Sequence, residues 1–163
     1  MKQFLLLIIL ITISFVTFSQ SNTQPKNALY YEFGGTGFGP VSLNYERLIP
    51  LGNSVLLAPG AGISFTKYIQ VGGTFWINEI QVFIPVQVNF LFGKNNHHFV
   101  AGYGMPLGIK NEKLGVTAST YVMRLGYRYQ SKHSGFMFGA NINPSIVVHS
   151  LMLMGGLSVG YAF

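Results

Sequence analysis

The sequence predicts an all-β protein: a closed, antiparallel, up-and-down barrel of eight transmembrane strands, preceded by a cleaved signal peptide. Three observations carry that reading. Only 9% of its 163 residues are charged, against roughly 25% in a soluble domain, while 49% are hydrophobic and 15% aromatic. Beyond Val16 no apolar run is long enough for a membrane helix, and hydrophobicity alternates at period two, the strand signal. The face opposite the bulky apolar residues carries Gly, Ser, Asn and Gln, not the Lys, Glu and Asp that a water-facing surface needs. So much apolar and aromatic surface excludes disorder. The absence of Cys excludes disulfide stapling and cysteine catalysis, and the length allows one domain.

Residues 1–19 read as a secretory signal peptide. Lys2 supplies the positive start, Phe4–Val16 the apolar core, and Thr17 and Ser19 the small residues before a cut ahead of Gln20. That core is short for a span of about 20 residues, and no Cys follows to carry a lipid. Residues 20–163 then form a single barrel domain. Strands are expected over Ala28–Gly34, Val41–Leu48, Val55–Thr66, Trp76–Phe92, Phe99–Ile109, Thr117–Gln130, Phe136–Asn143 and Leu151–Phe163. Turn-forming residues separate several of them, at Ile49–Asn53, Gly93–His97 and Ser131–Gly135. With membrane strands of about 9–11 residues, six would leave long loops and ten almost no turns. An even count sends both termini and these three turns to the periplasm. Gly35–Pro40, Lys67–Phe75, Lys110–Val116 and Pro144–Ser150 become the external loops.

Within the strands the bulky side chains share one parity. Val41, Leu43 and Tyr45 oppose Ser42, Asn44 and Glu46; Val86, Val88 and Phe90 oppose Gln87 and Asn89. Tyr121, Met123, Leu125, Tyr127 and Tyr129 oppose Arg124, Gly126, Arg128 and Gln130. A narrow barrel holds small residues inside and shows large apolar ones to lipid. Lipid also forbids an open sheet edge, so the sheet must close. Tyr30, Tyr31, Tyr45, Trp76, Tyr121, Tyr127 and Tyr129 fall mostly towards strand ends, which suits aromatic girdles at the lipid–water boundaries.

The motifs Pro85–Lys94, Phe99–Gly104, Gly126–Gln130, Gly135–Ala140 and Leu157–Phe163 together resemble a family: the small outer-membrane β-barrel proteins of the Bacteroidota. The likeness covers most of the chain after the signal. It implies a place, the bacterial outer membrane, and a fold, but brings no catalytic residues. The alternation Leu157, Val159, Tyr161, Phe163 is similar to the final-strand assembly signal of outer-membrane barrels, which implies the barrel-assembly machinery as a partner during biogenesis. Outer-membrane lipid and lipopolysaccharide are the further partners implied, around a monomer.

Charges of inward parity are Glu32, Glu46, Glu79, Arg124 and Arg128. Eight strands leave room inside for side chains or one small ligand, and unpaired charge there would be costly, so an interior polar network of mutual pairs is expected. Arg47 has outward parity at a strand end, where it can snorkel to the interface. The Gly35-Thr36-Gly37-Phe38-Gly39 run looks like a phosphate loop, but that motif needs a following helix and a strand follows here. His97 and His98 point to opposite faces, His133 lies in another turn, and none has an acidic or Cys neighbour, so no metal is expected. His149 and Ser150 are adjacent, hence on opposite faces, and no acid follows Glu112; general-base chemistry needs contact within ~3 Å. The net charge of the full chain is +6, of which Lys2 belongs to the signal peptide; the remaining +5 is spread over turns and loops at both ends, so nucleic acid is not expected as a partner.

The expectation is a non-catalytic barrel with a structural or surface-interaction role, no cofactor, and a bore filled by side chains. A narrow transport or small-ligand barrel is one alternative, and a lipid-modifying enzyme another.

Overall fold

A computed structural model describes residues 25–37, 39–66, 69–71, 75–77, 80–108, 121–132, 135–147 and 150–163. The predicted signal peptide, Glu79, Glu112, His133 and His149 lie outside those residues.

Eight long strands follow one another: β1 (Asn27–Gly34), β2 (Val41–Arg47), β3 (Val55–Thr66), β4 (Gln81–Phe92), β5 (His97–Gly108), β6 (Tyr121–Gln130), β7 (Phe136–Val147) and β8 (Ser150–Ala162). Each pairs antiparallel with the next. The last returns to the first, Ala28 opposite Ala162 and Gly34 opposite Gly156, so the sheet closes. Backbone bonds seal the seam: Lys26 and Asn27 donate to the Phe163 carbonyl at 2.9 and 2.7 Å, and Phe163 donates back to Asn27. Both ends of the barrel wall therefore sit at one rim, here the terminal rim; the opposite one is the far rim.

Alternation decides what each face meets. Val86, Val88 and Phe90 are 38%, 42% and 39% exposed, while Gln87 and Asn89 between them are 2% and 1% exposed. The same inversion runs round the barrel. Phe33, Tyr45, Phe65, Tyr103, Leu125, Phe138 and Leu157 face outward, while Glu32, Ser42, Asn44, Ser64, Arg124, Asn143 and Ser158 are buried inside. Space inside is scarce, and two glycines show how scarce. A Cβ on Gly102 would collide with the Asn89 carboxamide, and one on Gly160 with the Tyr30 backbone and Cβ.

Four expectations need correction. The predicted strand Trp76–Phe92 is split: the long strand starts at Gln81, and Phe75–Ile77 instead pairs antiparallel with Ile69–Val71, a strand within the expected loop Lys67–Phe75, as a small separate two-stranded sheet. Pro144–Val147 and Ser150, expected in a loop, are strand: β7 runs to Val147, which pairs with Ser150. The ladder from β7 to β6 skips Asn143 and Pro144, which lets a residue without an N–H sit within a strand. Tyr30 belongs to no girdle. At 1% exposure it points inward, because it shares the parity of Ala28 and Glu32. The Gly35–Pro40 connection, expected as a solvated loop, instead has Gly35, Thr36, Gly37 and Gly39 buried, with Pro40 exposed. Gly35–Gly37 forms one turn of 3-10 helix, all three residues buried, entered through Gly34 and Gly35 at φ of 74° and 80°, a region that glycine adopts without strain.

Candidate functional site

Inward alternation along six parts of the chain converges on one polar cluster. β1 supplies Tyr30 and Glu32, β2 Glu46, β4 Gln87 and Asn89, and β6 Arg124 and Arg128; β7 adds Asn141, and the 3-10 turn adds Thr36. Arg124 and Arg128 stand four residues apart, so strand periodicity sends both to the same side.

The cluster has two levels. Nearer the terminal rim, Arg128 Nη2 donates to Glu46 Oε2 at 2.7 Å, while Glu46 Oε1 accepts from Asn89 Nδ2 at 2.7 Å and from the Tyr30 hydroxyl at 2.8 Å. The Arg128 guanidinium also lies over the Tyr30 ring, 5.3 Å from its centroid, a favourable cation–π placement. Nearer the far rim, Arg124 Nη2 pairs with Glu32 Oε1 and donates to Thr36 Oγ1 at 2.9 Å. Asn141 Nδ2 reaches the same Glu32 oxygen at 3.4 Å and the Asn143 carboxamide at 3.0 Å. Tyr30 joins the levels, its hydroxyl accepting from Gln87 Nε2 at 2.6 Å and from Arg124 Nη1 at 3.3 Å.

Two carboxylates thus balance two guanidinium groups in an enclosed space, as burial of charge requires. Some polar atoms stay without a protein partner, among them Glu32 Oε2, Arg124 Nε, Arg128 Nη1, Asn89 Oδ1 and Asn143 Nδ2. Of the inward charges expected from the sequence, Glu32, Glu46, Arg124 and Arg128 meet here, while Glu79 lies outside the described residues. Tyr30, Thr36, Gln87, Asn89 and Asn141 are members that charge alone did not reveal. Inward parity marks Tyr30, Gln87 and Asn89 in advance; nothing local marks Thr36.

The remaining candidates are dispersed. Leu157, Val159 and Phe163 face outward and Tyr161 is partly covered, its ring stacked on Phe163 at 6.4 Å. His97 is exposed, its Nδ1 2.5 Å from the Tyr127 hydroxyl, whereas His98 points inward with Nδ1 unpartnered. Arg47 lies exposed at the terminal rim, donating to Asn27 Oδ1 at 2.7 Å. Among the described residues, no cluster of three or more His, Cys, Asp or Glu could hold a metal.

A closed eight-stranded barrel with apolar residues outside and ion pairs inside is a transmembrane β-barrel of the outer-membrane class. A solved structure agrees in fold. The chain is similar to Ail, an outer membrane protein of Yersinia pestis studied in a phospholipid bilayer nanodisc, with a TM-score of 0.51 at 14% identity, over 86% of this chain and 100% of that one. No protein-family model matches the sequence, and no curated protein does.

Proposed function

We propose that the protein is an integral barrel of the bacterial outer membrane, with a structural or surface-interaction role and no catalytic activity, its bore closed by its own side chains. One observation carries this reading: the buried pairs Glu32–Arg124 and Glu46–Arg128 tie β1 and β2 to β6 across the interior. Thr36 reinforces the closure by reaching the same arginine from the connection at the far rim. The two longest intervals between barrel strands, 67–80 and 109–120, both fall at the far rim, which supports a periplasmic position for the terminal rim. Residues 1–19 would direct export, and Leu157, Val159, Tyr161 and Phe163 would engage the barrel-assembly machinery. The folded monomer would then meet outer-membrane lipid and lipopolysaccharide. Kinship with the small Bacteroidota barrels is part of the same proposal, resting on the strand motifs alone.

The test is planar-bilayer recording on refolded protein whose insertion is established by heat-modifiable gel migration. The expected result is no conductance steps from the wild-type chain. Regular steps altered by Arg124→Ala or Glu46→Ala would replace this reading with a narrow transport barrel. Identical outer-membrane lipid profiles with and without His149→Ala are expected if the barrel is not a lipid-modifying enzyme.

A further inference from the structure

The outward surface is not a uniform belt. Across β6, β7 and β8 it carries a shallow, open apolar groove of about 840 Å³, walled by Phe33, Phe99, Leu125, Tyr127, Ile142 and Leu157. Its floor comes from the two smallest outward side chains there, Ala140 and Gly155.

Register gives the groove a direction. Phe99, Tyr127, Ala140, Leu157 and Phe33 are successive partners across five strands and form one row. Phe99 lies near the terminal rim and Phe33 near the far rim, so the row climbs the wall diagonally. Four interstrand spacings make it roughly 19 Å long. Strands tilted ~35–45° would let it rise roughly 11–13 Å. That is close to half of a hydrocarbon core about 30 Å thick, the depth of one leaflet.

The lower end of the groove approaches the polar terminal rim, where Lys94 and Lys132 line a small pocket with His98 and Gln130. Tyr127, which walls the groove, holds His97 through its hydroxyl, and His97 packs edge-on against Tyr129 at 5.4 Å. Lys94 and Lys132 lie exposed in the two adjoining turns, and Lys26 and Arg47 add charge of the same sign to that rim. The acids among the described residues, Glu32 and Glu46, are buried and paired inside, so they do not offset it.

We propose that this groove binds one anionic phospholipid of the leaflet at the terminal rim. One acyl chain would lie over Ala140 and Gly155, with the phosphate beside His97, Lys94 and Lys132. The inference rests on the membrane-spanning reading and goes beyond it by assigning a specific lipid site.

Native mass spectrometry of the full chain, released from vesicles of equal phosphatidylglycerol and phosphatidylcholine, tests it. Wild-type protein should retain one phosphatidylglycerol in preference to phosphatidylcholine by about threefold or more. Gly155→Leu should fill the floor, since nothing lies within 4 Å of a Cβ placed there. That variant and Ala140→Trp should both lose the lipid while remaining heat-modifiable. The pair Lys94→Glu and Lys132→Glu should abolish the preference. Unchanged retention in the floor variants, or no retained lipid on folded wild-type protein, overturns the site and leaves the barrel reading intact. Disulfide dimers formed readily by Ala140→Cys would make the groove a contact between copies, and overturn it too. A chain that never becomes heat-modifiable overturns both.

Discussion

The two interior ion pairs among the described residues have the same composition but are built differently. Glu46 has both oxygens engaged, by Arg128, Asn89 and Tyr30, all of them on strands. Glu32 uses one oxygen for Arg124 and Asn141 and leaves the other without a partner, and Arg124 takes further support from Thr36, which no strand carries. The level near the terminal rim is fixed by register alone. The level near the far rim also depends on a connection folding inward. A buried charge is thus held firmly where alternation brings every donor to it, and less firmly where a turn must complete the set.

The largest effect should come from breaking the strand-built level. Glu46→Ala or Arg128→Ala leaves an uncompensated buried charge, a change expected to cost about 3–5 kcal/mol. Urea unfolding in lipid vesicles, followed by loss of heat-modifiable migration, measures it. The double variant should be more stable than either single one, because it leaves neither charge of the pair buried without its partner. Next comes Glu32→Ala, whose cost should fall at or below the bottom of that range, since its carboxylate is only half engaged. If Glu32→Ala proves more damaging than Glu46→Ala, the contrast between the levels is wrong.

Tyr30→Phe sharpens the comparison, because that hydroxyl belongs to both levels. The change removes one donated and two accepted hydrogen bonds and leaves the ring under Arg128 in place. A cost of about 1–3 kcal/mol is expected in the same unfolding experiment. It should shrink in a Glu46→Ala background, where the acceptor for that hydroxyl is already gone.

How far the sequence discloses this interior depends on the kind of information each residue needs. The inside-out wall is legible because its signal is local: Val86, Val88 and Phe90 alternate with Gln87 and Asn89, and period two settles which share a face. The same parity marks Tyr30 as inward, although a tyrosine near a strand end reads more readily as a girdle residue. Which acid meets which arginine is not local. Glu32 and Arg124 lie 92 residues apart and Glu46 and Arg128 82 apart, so the pairing follows from register around the closed sheet. Pro144 misleads in the other direction, reading as loop punctuation until the partial ladder to β6 accommodates it.

Thr36 lies furthest from sequence reasoning, and its test is correspondingly the subtlest. Flanked by glycines, it has the composition of a solvated loop, yet its hydroxyl accepts from Arg124 and lies 3.4 Å from the Gln87 carboxamide oxygen. Thr36→Val keeps the shape and removes only the hydrogen-bonding, which should cost about 1 kcal/mol. Because the loss falls on the far-rim level, amide exchange should quicken at Gly35–Gly37 while the Glu46–Arg128 level keeps its protection. Equal loosening of both levels would mean that Tyr30 couples them into one unit. The turn would then be part of the strand-built core, and no separate closure at the far rim.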